Sequence, residues 1–348
     1  MRTTLAVTAL ALACACGDAG GGGGDGSATA PTTATQASGA TDSPTTTAAP
    51  TTSGGTDSAG ATAGGSSSDS GSVKLDVGAG TTGGPPDDGC PSVDILFVID
   101  DSGSMADNQQ SLVDSFPGFI GAVQTQLAGA KSYHIGVVTT DFYPDNPANC
   151  IDIGDLITQT GGPSASNQQC TPFASGTRFL DETEPDLGAK FACMGLVGTG
   201  GSSDERPIRG MLNALKPEKN GPAGCNALFS RPESLLVVVI ITDEDDVQDG
   251  CDGMVCDSYG SGGTKEEWFA ELLSYRNNIP ENIVVLALIG RKLDNPCGAV
   301  PASKLLGFTN LFGDNGFIGD VCADDYAPFF ADALPVIGNA CANWVPPA

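Results

Sequence analysis

Four short runs constrain this chain most. Residues 93–99, 135–139, 235–241 and 283–289 are apolar at nearly every position and rich in Val and Ile. A strand with one face in water alternates apolar and polar residues, whereas one that is apolar throughout belongs in a sheet covered on both faces. Between the runs the apolar residues recur with a period near 3.6. Leu112, Phe116, Phe119, Val123 and Leu127 form one stripe, in which Pro117 is expected to kink or restart the helix. Ile208, Met211, Leu212 and Leu215 form a second stripe. Trp268, Phe269, Leu272 and Leu273 form a third, opened by Thr264 and Glu267 at capping-box spacing. Tyr326, Phe329, Phe330, Ala333 and Ile337 form the last. Strands alternating with helices predict an α/β fold, a doubly wound and mostly parallel sheet with helices on both faces.

All of these elements lie in residues 90–348, which are near the upper limit for one domain built on one core. Residues 141–190 break the alternation. They are rich in Pro, Asn, Gln and Gly, carry Cys150 and Cys170, and read as a disulfide-stapled loop insertion with a short edge strand near residues 178–180. Ten cysteines fall in the domain: Cys90, Cys150, Cys170, Cys193, Cys225, Cys251, Cys256, Cys297, Cys322 and Cys341. They allow up to five disulfides, whose pairing the sequence leaves open. Cys251 and Cys256 are close enough in sequence to close a small loop, and Cys90 with Cys341 would tie the two ends if those ends meet. No Cys-x-x-Cys occurs among them, which disfavours zinc ribbons and thioredoxin-like redox sites.

The rest of the chain has a different composition. From residue 17 to 72 every residue except Gln36 is Gly, Ser, Thr, Ala, Pro or Asp, so nothing there can offset the entropy of ordering. Residues 17–89 are therefore expected to form a disordered stalk with a root-mean-square reach of about 45–50 Å. A short alternating patch at 72–78 is either an edge strand or more linker. Residues 1–16 read as an export signal, with Arg2 ahead of an apolar stretch too short to span a bilayer. Cys14 and Cys16, each preceded by Ala, resemble the lipobox of bacterial lipoproteins, although Ala11 or Ala13 stands where that pattern usually has Leu. The resemblance implies lipidation at Cys16, which leaves an even set of cysteines; Cys14 is the alternative. A plain secretory signal would give the same compartment without the anchor.

Charge narrows the function classes. Asp and Glu number 42 against 15 Lys and Arg, a formal charge of −27, and 34 of the acids but only 13 of the bases lie in residues 90–348. That sign repels nucleic-acid phosphates and anionic lipid headgroups, so no nucleic acid is expected as a partner, and a membrane only through the N-terminal anchor. The single histidine, His134, excludes multi-histidine metal cages; placed in a strand run, it is expected to be a satisfied structural residue. Trp268 and Trp344 are expected to pack. Excess carboxylates suit a hard divalent cation, and the cysteines suit an oxidising compartment.

Two strand ends carry the chemistry. The run at 93–99 leads directly into Asp100-Asp101-Ser102-Gly103-Ser104-Met105, and the run at 235–241 into Thr242-Asp243-Glu244-Asp245-Asp246. In open α/β sheets ligands bind just beyond the carboxyl ends of strands, where the winding direction reverses. Carboxylates and hydroxyls there make an oxygen-only pocket suited to Mg²⁺, with Ca²⁺ or Mn²⁺ as alternatives.

Asp100-x-Ser102-Gly103-Ser104 after a buried strand resembles the metal-ion-dependent adhesion site of von Willebrand factor type A domains, in particular those of bacterial surface lipoproteins. The resemblance spans roughly residues 94–343. It implies a Rossmann-like sheet, direct ligation by Ser102 and Ser104, and ligation through water by Asp100 and Asp243. It also implies a hydroxyl from the loop before the Ile208 helix, for which Ser202 matches and Ser203 is the neighbouring alternative. The last coordination position would go to an acidic residue of a protein ligand. Ser202 with Glu205 also fits a helix capping box. The acids from Asp243 to Asp249 fit a solvated loop, and the charge of Asp101, Glu244, Asp245 and Asp246 opposes an acidic partner unless those side chains point away or hold a second cation.

Enzyme signatures fail. The aspartyl-phosphate pattern would need a carboxylate where Ser102 stands. No Gly-x-Ser-x-Gly elbow surrounds Ser102 or Ser104, and residues 260–265 lack the Gly-Lys-Ser/Thr ending of a phosphate loop. The expectation is a non-catalytic, exported adhesion-type domain at the outer membrane or cell surface, or alternatively secreted. Its rivals are a structural protein whose metal only stabilises loops and, more remotely, a metal-dependent hydrolase.

Overall fold

The structure is a computed structural model that describes residues 89–126, 130, 132–246 and 260–347. The export signal, Cys14, Cys16, the stalk up to residue 88, the patch at 72–78, Leu127, the part of the 243–249 run beyond Asp246, and Cys251 and Cys256 lie outside the described residues.

The four apolar runs form strands of one six-stranded sheet. They are β1 (Ser92–Ile99), β2 (Ser132–Thr139), β4 (Leu235–Thr242) and β5 (Ile283–Ile289). Two short edge strands, β3 (Leu180–Asp181) and β6 (Gly316–Asp320), complete the order β3-β2-β1-β4-β5-β6. All neighbours are parallel except β3, which runs antiparallel to β2. The edge strand expected near 178–180 thus sits at 180–181.

Full burial of β1, β4 and β5 follows from helices on both faces. Val93, Ile95, Phe97 and Ile99, with the odd-numbered residues of β4, meet α1 (Ala106–Gln126), α2 (Leu187–Gly195) and α7 (Ala327–Ala342). Phe97 packs edge-on against Phe116 and Phe191, with ring centroids 6.0 and 4.8 Å away. Leu96, Val98 and the even-numbered residues of β4 meet α3 (Pro207–Leu215), α5 (Lys265–Ser274) and α6 (Ser303–Thr309). A single turn, α4 (Pro217–Asn220), follows α3. Thr264 and Glu267 form the expected capping box on α5, and Trp268 and Trp344 are buried.

Pro117 departs from the expectation of a restart: α1 runs unbroken from 106 to 126 with Pro117 inside it. Burial of Phe116, Phe119, Ile120 and Val123 in the core holds the helix together through the missing N–H. The 141–190 segment is stapled as expected, though each of its cysteines bonds outside it, Cys150 to Cys225 and Cys170 to Cys193. Cys90–Cys341 joins the domain's two ends, and Cys297–Cys322 ties the loop after β5 to the residues after β6. Disulfides persist in oxidising compartments and are rare in a reducing cytosol.

At the amino end of β1, the buried Asp94 accepts from Arg231 Nε (2.8 Å), Arg231 N (2.7 Å), Arg276 Nη2 (3.0 Å) and the Ser234 hydroxyl. His134 is the structural residue expected: Nδ1 lies 2.8 Å from the Phe229 carbonyl, so it carries the proton and donates, and burial lowers the pKa of the ring.

Candidate functional site

The winding reverses at β1. The chain leaves β1 for β2 on one side and returns to β4 on the other, so the carboxyl ends of β1 and β4 flank the switch point. Both acidic sequences expected to carry chemistry begin there. The ladder between the two strands continues one step past β1, with Asp100 N donating to Ile241 O at 3.0 Å.

Asp100 is fully buried and knits the two tips together. One carboxylate oxygen accepts from Ser102 N at 2.7 Å, the other from the Thr242 hydroxyl at 2.7 Å. The first contact is an Asx turn, which presents Ser102 and Ser104 on the same loop. Their Oγ atoms lie 3.5 Å apart. Adjacent corners of an oxygen octahedron stand about 3.0 Å apart for a metal–oxygen distance of about 2.1 Å, and about 3.4 Å for one of about 2.4 Å. Ser102 is buried and Ser104 exposed, so the pair faces from the protein toward solvent.

A third segment is held against this loop by Gln109 of α1. Its amide donates to Asp100 O (2.9 Å) and Gly198 O (2.8 Å), and its oxygen accepts from Gly198 N (2.9 Å). Gly201 N then donates to Asp101 O at 2.8 Å. A Cβ on Gly201 would fall 2.6 Å from the Asp101 side chain, so only glycine allows this approach.

The side chain that this segment delivers toward Asp100 is Glu205, to which the sequence pattern gives only a capping role. Glu205 is fully buried; Oε2 accepts from the Thr140 hydroxyl, while Oε1 has no hydrogen-bond partner. Burial, then the charge of Asp100, pushes its pKa up to about 10. Ser202 is exposed instead. Its hydroxyl accepts from Asp204 N at 3.2 Å, and no hydrogen bond joins that hydroxyl to Asp100, Ser102, Ser104 or Asp243. Ser203 is exposed as well. The expected Ser202–Glu205 capping box is absent, because α3 starts at Pro207, two residues beyond Glu205, with Arg206 at its N-cap. Pro207 at the first helical position is the sequence signal for that start.

Asp243 completes the group. It is buried, and its Oδ1 also lacks a hydrogen-bond partner. The pKa of Asp100 is raised mainly by its own burial, with the charge of Asp243 adding to it. Asp101 is pushed up to about 7 by burial and then by Asp100 and Asp141. Among the described residues no arginine pairs with Asp100, Asp101, Glu205 or Asp243; Arg206 is committed to Asp141 at 2.6 Å and Asp204 at 3.5 Å. Nor do three or more His, Cys, Asp and Glu side chains among the described residues form a metal-holding group, so a cation here would depend on the serine hydroxyls.

Among the described acids after Asp243, Asp245 and Asp246 are not the solvated loop residues expected. Asp245 accepts from Lys304 N (2.9 Å) and Leu305 N (3.2 Å) at the start of α6. Asp246 is buried and accepts from Ile208 N (3.1 Å) in the first turn of α3, and from Ser261 N (2.7 Å) and the Ser261 hydroxyl (2.6 Å). Both carboxylates satisfy orphan N–H groups at positive helix ends, so they point away from the crevice. Glu244 stays at its edge, half-buried, with its pKa raised by burial and then by Asp100 and Asp243.

These features define a doubly wound α/β domain with an acidic, hydroxyl-bearing crevice at its switch point. No family model and no curated protein matches the sequence. Two structures of proximal thread matrix protein 1 from the mussel byssus, one of them crystal form 2, are similar, with TM-scores of 0.41 and 0.39, each at 12% identity over 72% of this chain. The pilus adhesin SpaC from Lactobacillus rhamnosus GG, in its open conformation, gives 0.37 at 12% identity, again over 72% of this chain. This chain spans 49% and 48% of the two mussel chains and 30% of the adhesin.

Proposed function

We propose that this domain binds a protein ligand through a divalent cation held at the switch point, and that it does so outside the cytoplasm. The observation that carries the reading is the pair of buried carboxylate oxygens, Glu205 Oε1 and Asp243 Oδ1, left without hydrogen-bond partners around Asp100. With its pKa pushed up to about 10, Glu205 holds a proton at neutral pH, and a hard cation would displace that proton and supply the counter-charge that lets these buried acids ionise. Ser102, Ser104 and Glu205 would hold it directly. Asp100, with both oxygens already engaged, and Asp243 would act through water, as the resemblance to von Willebrand factor type A sites implies. Mg²⁺ suits this oxygen-only set; Ca²⁺ and Mn²⁺ share the preference. A bound cation would supply an electrophilic position for the carboxylate of a protein ligand, and no catalytic role is assigned.

Glu205 alters that scheme. In this reading a carboxylate takes the place that the resemblance gives to a hydroxyl, so the cation would be held more firmly and be less electrophilic. The four described disulfides support export, and lipidation at Cys16, or Cys14, would tether the domain to the membrane by its stalk.

The test is thermal unfolding of the full chain with and without magnesium, beside retention on immobilised aspartate-bearing peptides. Cation at about a hundredfold excess over its dissociation constant adds about 2.7 kcal/mol, a rise in Tm of roughly 5–10 °C for a domain of this size. Ser102→Ala and Asp243→Ala should cut the rise by about half or more and weaken the retention while keeping the fold. No rise with Mg²⁺, Ca²⁺ or Mn²⁺ overturns the reading. A rise without cation-dependent retention reduces the ion to a structural one.

A further inference from the structure

The sheet ends on an uncovered strand. β4 and β5 are buried at every position, whereas all five residues of β6 are partly exposed. β6 is the last strand of the sheet and pairs with β5. In a parallel ladder alternate residues turn their N–H and C=O to one neighbour, and those between them turn to the other side. Val321 N donates to Ile289 O at 3.2 Å, so Phe317 and Gly319 face β5 in the same way, while Gly316, Ile318 and Asp320 face outward. Turns use two of the outward groups: Gly316 N donates to Gly313 O, and Asp320 O accepts from Ala323 N at 3.2 Å. Gly316 O, Ile318 N, Ile318 O and Asp320 N are left without a hydrogen-bond partner among the described residues. The opposite edge strand, β3, is two residues long and offers no such row.

This edge is fixed before any partner arrives. Phe317 meets Phe329 of α7 on one face, with ring centroids 5.3 Å apart, and Ile318 packs into the layer beneath α6 on the other. A Cβ on Gly319 would fall 2.3 Å from the Phe329 ring, so strand and helix are pressed together where only glycine fits.

We propose that the open edge of β6 is a strand-addition site for an extended segment of a partner protein, one with β-branched or other apolar residues and a net positive charge. Unpaired N–H and C=O groups on a rigid edge call for an extended backbone. The side chains of an added strand would continue the half-covered faces around Phe317 and Ile318, near the exposed Leu311 of the turn that leads into β6. Charge selects among extended chains. Beyond Lys304 the sequence holds five aspartates, Asp314, Asp320, Asp324, Asp325 and Asp332, and no lysine or arginine. Two copies joined edge to edge would set these acids against their own kind, and a pairing of five residues buries too little to hold such a dimer. The inference makes no use of the cation.

The test takes the full chain, nitrogen-15-labelled and in chelator, with a blocked Lys-Val-Thr-Val-Thr-Val-Lys peptide. Saturable shifts of the Ile318 and Asp320 amides are expected, with hydrogen exchange at both slowed at least about tenfold at saturation, while the Phe317 and Gly319 amides already in the ladder change little. The same peptide N-methylated at two adjacent central residues, which blocks either of its edges, should bind at least about tenfold more weakly, and so should its Glu-flanked counterpart. Ile318→Pro removes the outward N–H at a position where an edge strand tolerates proline, and should abolish the protection at Asp320; the N-methylated peptide makes the same test on unaltered protein. No protection at Ile318 and Asp320, or equal binding of the N-methylated peptide, overturns strand addition. Equal binding of the Glu-flanked peptide overturns the basic partner. Protection of Ile318 without peptide that grows with protein concentration puts a second copy on the edge and overturns the proposal as well.

Discussion

At the amino end of β1 a buried carboxylate, Asp94, is met by Arg231 and by Arg276, which is itself 1% exposed. At the carboxyl end of the same strand Asp100, Asp101, Asp243 and Glu205 are buried together, and no described arginine pairs with any of them. The first arrangement is complete within the chain and serves the fold. The second has no such arginine among the described residues, and on the proposed reading a small cation supplies the charge. This sequence can bring arginines to a buried acid, as the first end demonstrates. Acids gathered without them at the second end suit a counter-charge that comes and goes.

The largest effect is expected at the complete end. Asp94→Ala leaves two guanidinium groups without their acid, and breaking a buried pair in this way costs about 3–5 kcal/mol. In a domain of this length that lowers Tm by roughly 6–20 °C, measured by calorimetry or circular dichroism. The loss should be the same with magnesium as with chelator. A loss that magnesium largely repairs would show the two ends to be coupled, and the comparison would fail.

A second effect, spread over several pH units, is expected at the incomplete end. In chelated protein the folded-state pKa of Glu205 is raised from 4.5 to about 10, so the folded state binds more protons than the unfolded one between those values. By linkage its contribution to stability is full below 4.5 and is lost as pH rises toward 10. Tm of the chelated protein should therefore fall across this window, and Glu205→Gln should flatten the slope. Magnesium should flatten it too, with proton release on binding visible as a buffer-dependent heat in calorimetry. A Tm that rises with pH in chelator, unchanged by Glu205→Gln, would mean that the carboxyl end is not short of positive charge.

The two ends also differ in how legible they are from sequence. The apolar runs match β1, β4 and β5 to within one residue at each end, because strands buried on both faces need apolar side chains everywhere and that pattern has few imitators. The positions of Asp100, Ser102, Ser104 and Asp243 follow, since a strand end fixes where its next residues stand. β6 is hard to see because Gly316-Phe317-Ile318-Gly319-Asp320 is half-buried, short and interrupted by glycines, and α6 because its seven residues barely span two turns. The arginine cage around Asp94 depends on residues 137 and 182 positions away, which no local pattern connects. Glu205 is conspicuous in the sequence but its role is not. Ser202-x-x-Glu205 imitates a capping box, while Pro207 two residues later marks where the helix begins.

That imitation sets the smallest and sharpest prediction, which separates the hydroxyls of two loops, those of Ser202 and Ser102. Ser202→Ala removes an exposed hydroxyl whose visible partner is the Asp204 N–H, so it should cost no more than about 0.5 kcal/mol, the usual size for an exposed surface position. It should leave the magnesium-induced rise in Tm unchanged. Ser102→Ala should cost about 1 kcal/mol in chelator, since its hydroxyl makes a 3.5 Å contact with Ser104 and a hydrogen bond that steadies the Asp100 carboxylate. It should nonetheless lower magnesium affinity at least about tenfold, or about 1.4 kcal/mol in the cation-loaded state alone. Titrating magnesium against Tm for both variants gives the two affinities directly. If Ser202→Ala weakens the cation as much as Ser102→Ala does, the third loop contributes a hydroxyl after all, and Glu205 must then be explained by its bond to Thr140 rather than by a cation.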